Sequence, residues 1–425
     1  MASPQRWIAL CLTLAACGSA DQTATAPDTD AGATDALTFP EAPDFDTGPD
    51  VAAADAPSRE DTAAPLDTGA PSDASAPLDT GAPTDAGSPD DVPAVTDAPP
   101  PADVPVSADA GARCDEPPMC DGPAPTPSPT TSWRHLTTRV TVALGSQRHR
   151  GRDLFLREGD PQWGIARFAY GPADDDLQDE DVEVFLMRGC RAWERLGEAR
   201  TTRDNQHATV EGVVDNGGYV FFEIPASARL GVGRHRLRYV VRGDHTVADQ
   251  YIEVLPSTAH VVVTDVDGTL SESETAEWVT VFGGASPAVN PGAPEALWAL
   301  ARRGFIVFYL TARPEWLVTR THEWVRERGL PPGLVHTMLN LTGGTGNAAF
   351  TFKRDELTAL RERLGRVPDY AFGNTDTDAQ AYDAVGVSPD RAYYYRFTGN
   401  RRGGQLNDDY RALVAPLSMG PLYCR

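Results

Sequence analysis

Apolar residues follow two different periods along this chain, and the period changes near residue 257. Within residues 132–256, six segments are β-rich or alternate apolar with polar positions: 140–144, 182–186, 208–214, 219–224, 235–241 and 250–254. Clusters of Gly, Pro, Asp and Asn separate them. Short strands without helical spacing predict a β-sandwich of immunoglobulin type. This stretch holds no catalytic constellation, and His235 and His245 read as strand or surface residues. Its expected role is to position the next domain or to meet a partner or the cell envelope.

From residue 257 strands and helices alternate. Residues 261–263 and 305–310 are continuous apolar runs, as strands buried on both faces require. Residues 294–303, 315–328 and 354–364 have helical spacing, and another helix begins at Ala379. Residues 370–372 and 391–395 add two short strands, and the glycine-rich stretch 339–349 reads as a flexible loop. Alternation of this kind predicts a doubly wound, mostly parallel sheet across 257–425.

The amino-terminal third is different. Residues 1–17 carry Arg6, an apolar run from Trp7, and Leu14-Ala15-Ala16-Cys17, which reads as a signal peptide. Residues 18–131 are rich in Ala, Asp, Pro and Thr, and LDTGAP occurs at 66–71 and again at 78–83. Such a segment buries too little apolar surface to offset its ordering entropy, so it is expected to be a disordered, self-repelling tether. The net charge of −24 is concentrated there: residues 21–113 hold 20 acids and two arginines, whereas 114–425 hold 41 acids and 34 basic residues. No basic patch in the sequence points to nucleic acid.

Beyond the signal segment and Cys17 stand Cys114, Cys120, Cys190 and Cys424. Four cysteines in an exported chain imply two disulfides with three connectivities. Nearness in sequence favours Cys114 with Cys120, which would leave Cys190 to hold Cys424.

The candidate chemistry sits at strand ends. Asp265, Asp267, Gly268 and Thr269 follow the run 261–263; Thr311, Ala312 and Arg313 follow 305–310; Asn374 and Asp378 follow 370–372. In a parallel sheet these carboxyl ends share one edge, where ligands bind. Paired carboxylates there suit a hard cation and supply a nucleophile and an acid/base. Lys353 is the sole lysine among 37 Lys and Arg residues, so an ammonium rather than a guanidinium is placed on purpose.

In this order, D-x-D-G-T, a strand-end Thr, a Lys and G-N-x-x-x-D resemble the haloacid dehalogenase superfamily. Residues 304–314, 324–335, 352–353 and 371–387 look like the catalytic domain of lipin phosphatidate phosphatases and the related domain of membrane-associated phosphatidylinositol transfer proteins. The resemblance covers about residues 258–400 and omits the sandwich and tether. It implies an uncapped haloacid dehalogenase-like fold and a Mg²⁺-dependent phosphatase. Asp265 would attack phosphorus, Asp267 would act as acid and base, Thr311 would hold the phosphoryl group, and Lys353 would stabilise Asp265. Mg²⁺ would rest on Asp265, the Asp267 carbonyl, Asn374 and Asp378, with Gly268, Ala312 and Arg313 as substrate contacts. Asparagine at 374 follows the lipin-like branch, where many superfamily members have aspartate.

The intervals Asp267–Thr311 and Thr311–Lys353, 44 and 42 residues, leave no room for a large lid, so the site can admit a bulky substrate such as a lipid headgroup or a phosphoprotein; the resemblance makes a phospholipid such as phosphatidate the expected one. Residues 271–281 would form a small flap, with Trp278, Val279 and Phe282 near acyl chains or in the core. A soluble phosphate monoester is the alternative substrate; a non-catalytic phosphatidate-binding module and a purely structural surface protein are the alternative roles. The end of the signal segment resembles the lipobox of bacterial lipoproteins. That likeness implies lipidation of Cys17 and anchoring to a membrane, the outer one or the cell surface.

Overall fold

The computed structural model describes residues 113–272 and 286–425. The signal segment, Cys17, most of the tether and the expected flap lie outside the described residues.

The sandwich comprises a three-stranded and a five-stranded sheet. Its core is built from the inward positions of both, including Leu156, Ile165, Phe168, Val184, Leu237 and Tyr239. Strand Leu154–Arg157 runs parallel to Val247–Leu255 at one edge, so the all-antiparallel pairing of an immunoglobulin-type sandwich is not followed there. Two expected strands differ. Residues 140–144 fall at the end of helix Leu136–Ala143. At its start, the N–H groups of Arg134 and His135 donate to the Glu180 carboxylate (3.0 and 3.3 Å), and so does the Thr138 hydroxyl (2.6 Å). An anion at a helix amino terminus meets the orphan N–H groups, and this outweighs the β-branched composition. Residues 208–214 form a tight turn closed by the bridge Val210–Val213, because Glu211 and Gly212 adopt positive φ (49° and 74°).

In the following domain the labelled elements are β1 (Val261–Thr264), α1 (Ala293–Ala301), β2 (Ile306–Pro314), α2 (Val318–Glu327), β3 (Gly333–Met338), α3 (Gly346–Leu364), β4 (Tyr370–Gly373), α4 (Asp376–Val385), β5 (Ala392–Tyr395), β6 (Gln405–Asn407) and α5 (Arg411–Ser418). All six strands are parallel, in the order β3-β2-β1-β4-β5-β6. Val262 faces one apolar layer; Val261 and Val263 face the other, as the two-residue period of a strand covered on both faces requires. The order reverses at β1, and there the crevice at the strand ends opens. α3 begins at Gly346, eight residues before the expected start, so Lys353 lies within a helix and the loop before it is shorter. α2 follows a 3₁₀ turn, Glu315–Leu317, and β6 and α5 were not anticipated.

The two domains share contacts of both kinds. Phe155 of the sandwich stacks edge-on against Phe308 at 5.1 Å and belongs to the apolar layer of Val261 and Leu334. Beside it the buried Asp153 accepts from the N–H groups of Val335 (2.9 Å) and Tyr251 (2.8 Å) and pairs with His322 (2.8 Å). Glu356 meets Arg152 and His336, each at 2.6 Å. Burial favours its neutral form, but those two partners win and hold its carboxyl down at about 2.

The cysteines pair as Cys114–Cys424 and Cys120–Cys190, which corrects the pairing favoured by nearness. Residues 113–131, assigned to the tether from composition, have no helix or strand, yet they are strapped along the folded part. Cys114 N–H donates to Arg302 O (2.8 Å), Ser128 donates to Glu183 (2.6 Å), and Trp193 Nε1 donates to Pro123 O (2.9 Å). Extended backbone advances about 3.3 Å per residue, so two cysteines six positions apart reach different domains rather than each other. Non-reducing peptide mapping of the chain is expected to yield the peptide pairs 114/424 and 120/190; recovery of a 114/120 loop would contradict the fold.

Candidate active site

The β1 strand ends in the turn 265–270, which delivers two carboxylates into different surroundings. Asp265 is buried, whereas the Asp267 side chain is 26% exposed. β4 ends in Gly373, where a Cβ would stand 2.5 Å from Asp378 Cβ, so glycine is required for the approach. Thr375 then caps α4: its hydroxyl and the Asp378 side chain form a capping box that fixes Asp378 Oδ2 on the N–H groups of Asn374 and Thr375. Asp376 is exposed on the first turn of α4, which its charge favours, and is not drawn into the cluster.

Lys353, reaching across from α3, joins the two strand ends. Its Nζ donates to Asp265 Oδ1 and to Asp378 Oδ1, each at 2.6 Å. Thr269 Oγ1 lies 2.9 Å from Asp265 Oδ2 and 2.8 Å from Asn374 Oδ1. One hydroxyl proton therefore serves two acceptor oxygens. On the outer side, Thr311 Oγ1 donates to Asp267 Oδ2 (2.9 Å), and Arg313 forks onto Asp267 through Nε (2.9 Å) and Nη2 (2.8 Å). Ala312 and Gly268 line the turns between: the Ala312 carbonyl accepts from Gly344 N–H (2.9 Å), and the Gly268 N–H donates to Ser271 Oγ (3.2 Å).

Electrostatics follow from this packing. Burial pushes the Asp265 carboxyl up to about 7; Lys353 opposes the rise, and Asp378 and Asp267 add to it. Burial alone would lower the Lys353 ammonium, but Asp265 and Asp378 outweigh it and hold it above the ordinary lysine range. Three carboxylates thus face two cations, an excess of negative charge beside oxygen donors. Among the described residues no three His, Cys, Asp or Glu side chains form a ready metal cluster. The expected Mg²⁺ set asks for two carboxylates, an amide and a backbone carbonyl, so the donor chemistry here fits a hard cation.

Every sequence-expected site residue within the described part lies at this edge. Thr269 stood at the strand end in the sequence without a role, and Glu315 was missed. Thr269 stands in the D-x-D-G-T motif, where its hydroxyl was legible as a hydrogen-bonding group. Glu315 carries no motif signal. It is 5% exposed, follows Arg313-Pro314, and accepts at 2.7 Å from both Arg150 and Arg167 of the sandwich. Arg150 also pairs with the buried Asp174 at 2.6 Å, so the turn after β2 is anchored in the other domain by a buried ion network.

Residues 262–395 match the family model described as PITM 1-3, LNS2 domain. Residues 147–254 match PITM 1-3, beta-sandwich domain. These two LNS2 and sandwich matches follow one another in the order the sequence pattern gives. Human membrane-associated phosphatidylinositol transfer protein 2 is 32% identical over 297 residues, covering 69% of this chain and 20% of its own length. Mouse membrane-associated phosphatidylinositol transfer protein 3 is 30% identical over 68% of this chain and 28% of its own. Drosophila protein retinal degeneration B is 29% identical over 68% of this chain and 22% of its own. The chain therefore spans about a quarter of these relatives or less. Among solved structures, titin kinase and its flanking domains aligns at a TM-score of 0.14 and 6% identity over 27% of this chain and 22% of that one, a likeness that carries no argument.

Replacing Lys353 with Met leaves Asp265 and Asp378 buried without their cation. Loss of one partner of a buried pair costs about 3–5 kcal/mol. Without the ammonium that opposes it, burial pushes the Asp265 carboxyl further up, so the folded variant takes up a proton the unfolded chain does not. Denaturant melts should therefore show the deficit largest near pH 8 and shrinking toward pH 5; a deficit independent of pH would contradict the placement of the ammonium.

Proposed function

We propose that residues 257–425 form a Mg²⁺-dependent phosphatase of phospholipid phosphate monoesters, working through an aspartyl-phosphate at Asp265. The observation that carries this reading is the unequal surroundings of Asp265 and Asp267. One carboxylate is buried on an ammonium; the other is half-open to solvent and held by hydrogen-bond donors. Nucleophile and acid/base need those two environments.

Asp265 attacks phosphorus as the ester P–O bond breaks, and Asp267 protonates the departing oxygen. Asp267 then takes a proton from water, whose oxygen attacks the phosphoryl group and frees Asp265 and inorganic phosphate. Lys353 offsets charge on Asp265 throughout, and Thr311 and Arg313 turn their donors toward the phosphoryl oxygens. Asp265, the Asp267 carbonyl, Asn374 and Asp378 would hold Mg²⁺, which when bound would supply charge neutralisation at the phosphoryl oxygens. A phospholipid substrate is supported by the short intervals between motifs, which exclude a large lid, and by relatives named for phosphatidylinositol transfer. In this proposal a lipidated Cys17 and the acidic tether present the domain to an envelope membrane.

A second reading, a binding module without turnover, is favoured by one observation: Arg313 and Thr311 together occupy both oxygens of Asp267. Phosphate release from phosphatidate in mixed micelles and from p-nitrophenyl phosphate separates the two. Turnover should require Mg²⁺, cease in EDTA, and fall about 10²–10⁴-fold in Asp267→Asn. The ratio of the two substrates gives the lipid preference. Vesicle binding to phosphatidate without release of phosphate from either substrate would establish the second reading.

A further inference from the structure

A cleft of about 1050 Å³ opens between the sandwich and α2, and none of the strand-end carboxylates lines it. One wall is the face of strand Gly233–Val241 that carries Arg234, Arg236 and Arg238 at the two-residue spacing of one strand face. The opposite wall is Trp316 with Arg320 and Arg326 of α2, and Arg148 closes one end. Six arginines therefore face three carboxylates: Asp121, Asp249 and Glu323. This stands out in a folded part where acids outnumber bases, 41 to 34 over residues 114–425.

The pairing inside the cleft is uneven. Asp249 is shared by Arg236 and Arg238, each at 2.7 Å. Arg234 has Glu253 at 3.7 Å and lies over the Tyr251 ring. Arg148 stacks on Trp316 at 4.4 Å and donates to a backbone carbonyl, that of Pro172. Arg320 and Arg326 are exposed and, among the described residues, form no ion pair. Three guanidinium charges thus lack a carboxylate: Arg320 and Arg326 on α2, and Arg148 stacked on the neighbouring Trp316. A guanidinium fork matches phosphate oxygens bidentately, and its planar geometry makes it the preferred group for phosphate recognition. Three unpaired guanidinium charges exceed the two negative charges of one phosphate dianion, so an occupant with more than one phosphate suits the cleft. Arg148 lies over the Trp316 ring and Arg234 over the Tyr251 ring, so one face of each ring is already taken by a cation.

We propose that this cleft is a second anion site, which binds a small organic polyphosphate, either free or as the headgroup of a lipid. The inference does not rest on phosphatase activity at Asp265. It gives the sandwich a ligand-binding role that the strand-end site does not supply. α2 follows the turn that carries Glu315, so an occupant would bear on the segment anchoring β2.

Titration calorimetry of the full chain tests it, with pyrophosphate and inositol hexakisphosphate as soluble probes. Flotation with phosphatidylcholine vesicles, with and without a bisphosphorylated phosphatidylinositol, distinguishes the lipid source. The double variant Arg320→Glu/Arg326→Glu should weaken binding about tenfold or more, the loss expected of one charge-assisted contact. The charge-keeping Arg320→Lys/Arg326→Lys should retain most of it, and Asp265→Asn should bind undiminished. Both side chains are exposed, and a melting curve verifies that the variants are folded. Wild-type binding of neither soluble probe nor vesicle would overturn the proposal. So would an affinity unchanged by charge reversal, or one abolished by Asp265→Asn.

Discussion

A single ammonium buried between two strand ends is the constraint on which the rest of this structure depends. Lys353 is 4% exposed and bridges Asp265 and Asp378, which close β1 and lead into α4. Two carboxylates at that separation cannot both stay ionised in a low-dielectric crevice without a cation between them. An arginine there would be too broad and too directional for a two-point contact of this size. The lysine therefore ties α3 to the ends of the paired strands β1 and β4 and offsets the charge of Asp265. An edge of the sheet whose carboxylates would otherwise repel one another is thereby held together.

That edge is not the work of one domain. The turn after β2 delivers Thr311 and Arg313 to Asp267, and Glu315, two residues beyond Arg313, is clamped by Arg150 and Arg167 from the sandwich. Asp153 and Glu356 tie the neighbouring strands and α3 by the same means, and Phe155 continues the apolar layer across the junction. A buried ion network is a poor source of net stability but a strict one of geometry, because breaking any member leaves a charge stranded. The sandwich thus acts as a template for the loop that carries the hydrogen-bond partners of Asp267. The disulfide from Cys114 to Cys424 adds a covalent strap over the α/β domain.

The site was legible in the sequence where local chemistry and strand period agree. The buried run before Asp265, the glycine that lets Asp378 approach, and a lone lysine among arginines each have one physical reading, and the strand alternation carries them to one edge. What sequence pattern missed was decided by contacts distant in the chain. Residues 140–144 look like a strand until Glu180 supplies the anion that starts a helix. Cys114 and Cys120 look like a loop until the extended segment between them spans two domains. Glu315 looks like an ordinary first-turn acid until two arginines from another domain meet it.

The most direct test of the account is chemical trapping of the nucleophile. The chain would be quenched in acid during turnover of phosphatidate with Mg²⁺, reduced with borohydride, and mapped by peptide mass. An acyl phosphate at Asp265 is converted to homoserine, so the account predicts that residue at position 265 and unmodified aspartate at 267. Phosphate release with Asp265 unmodified, or with the label at any other carboxylate, would contradict it.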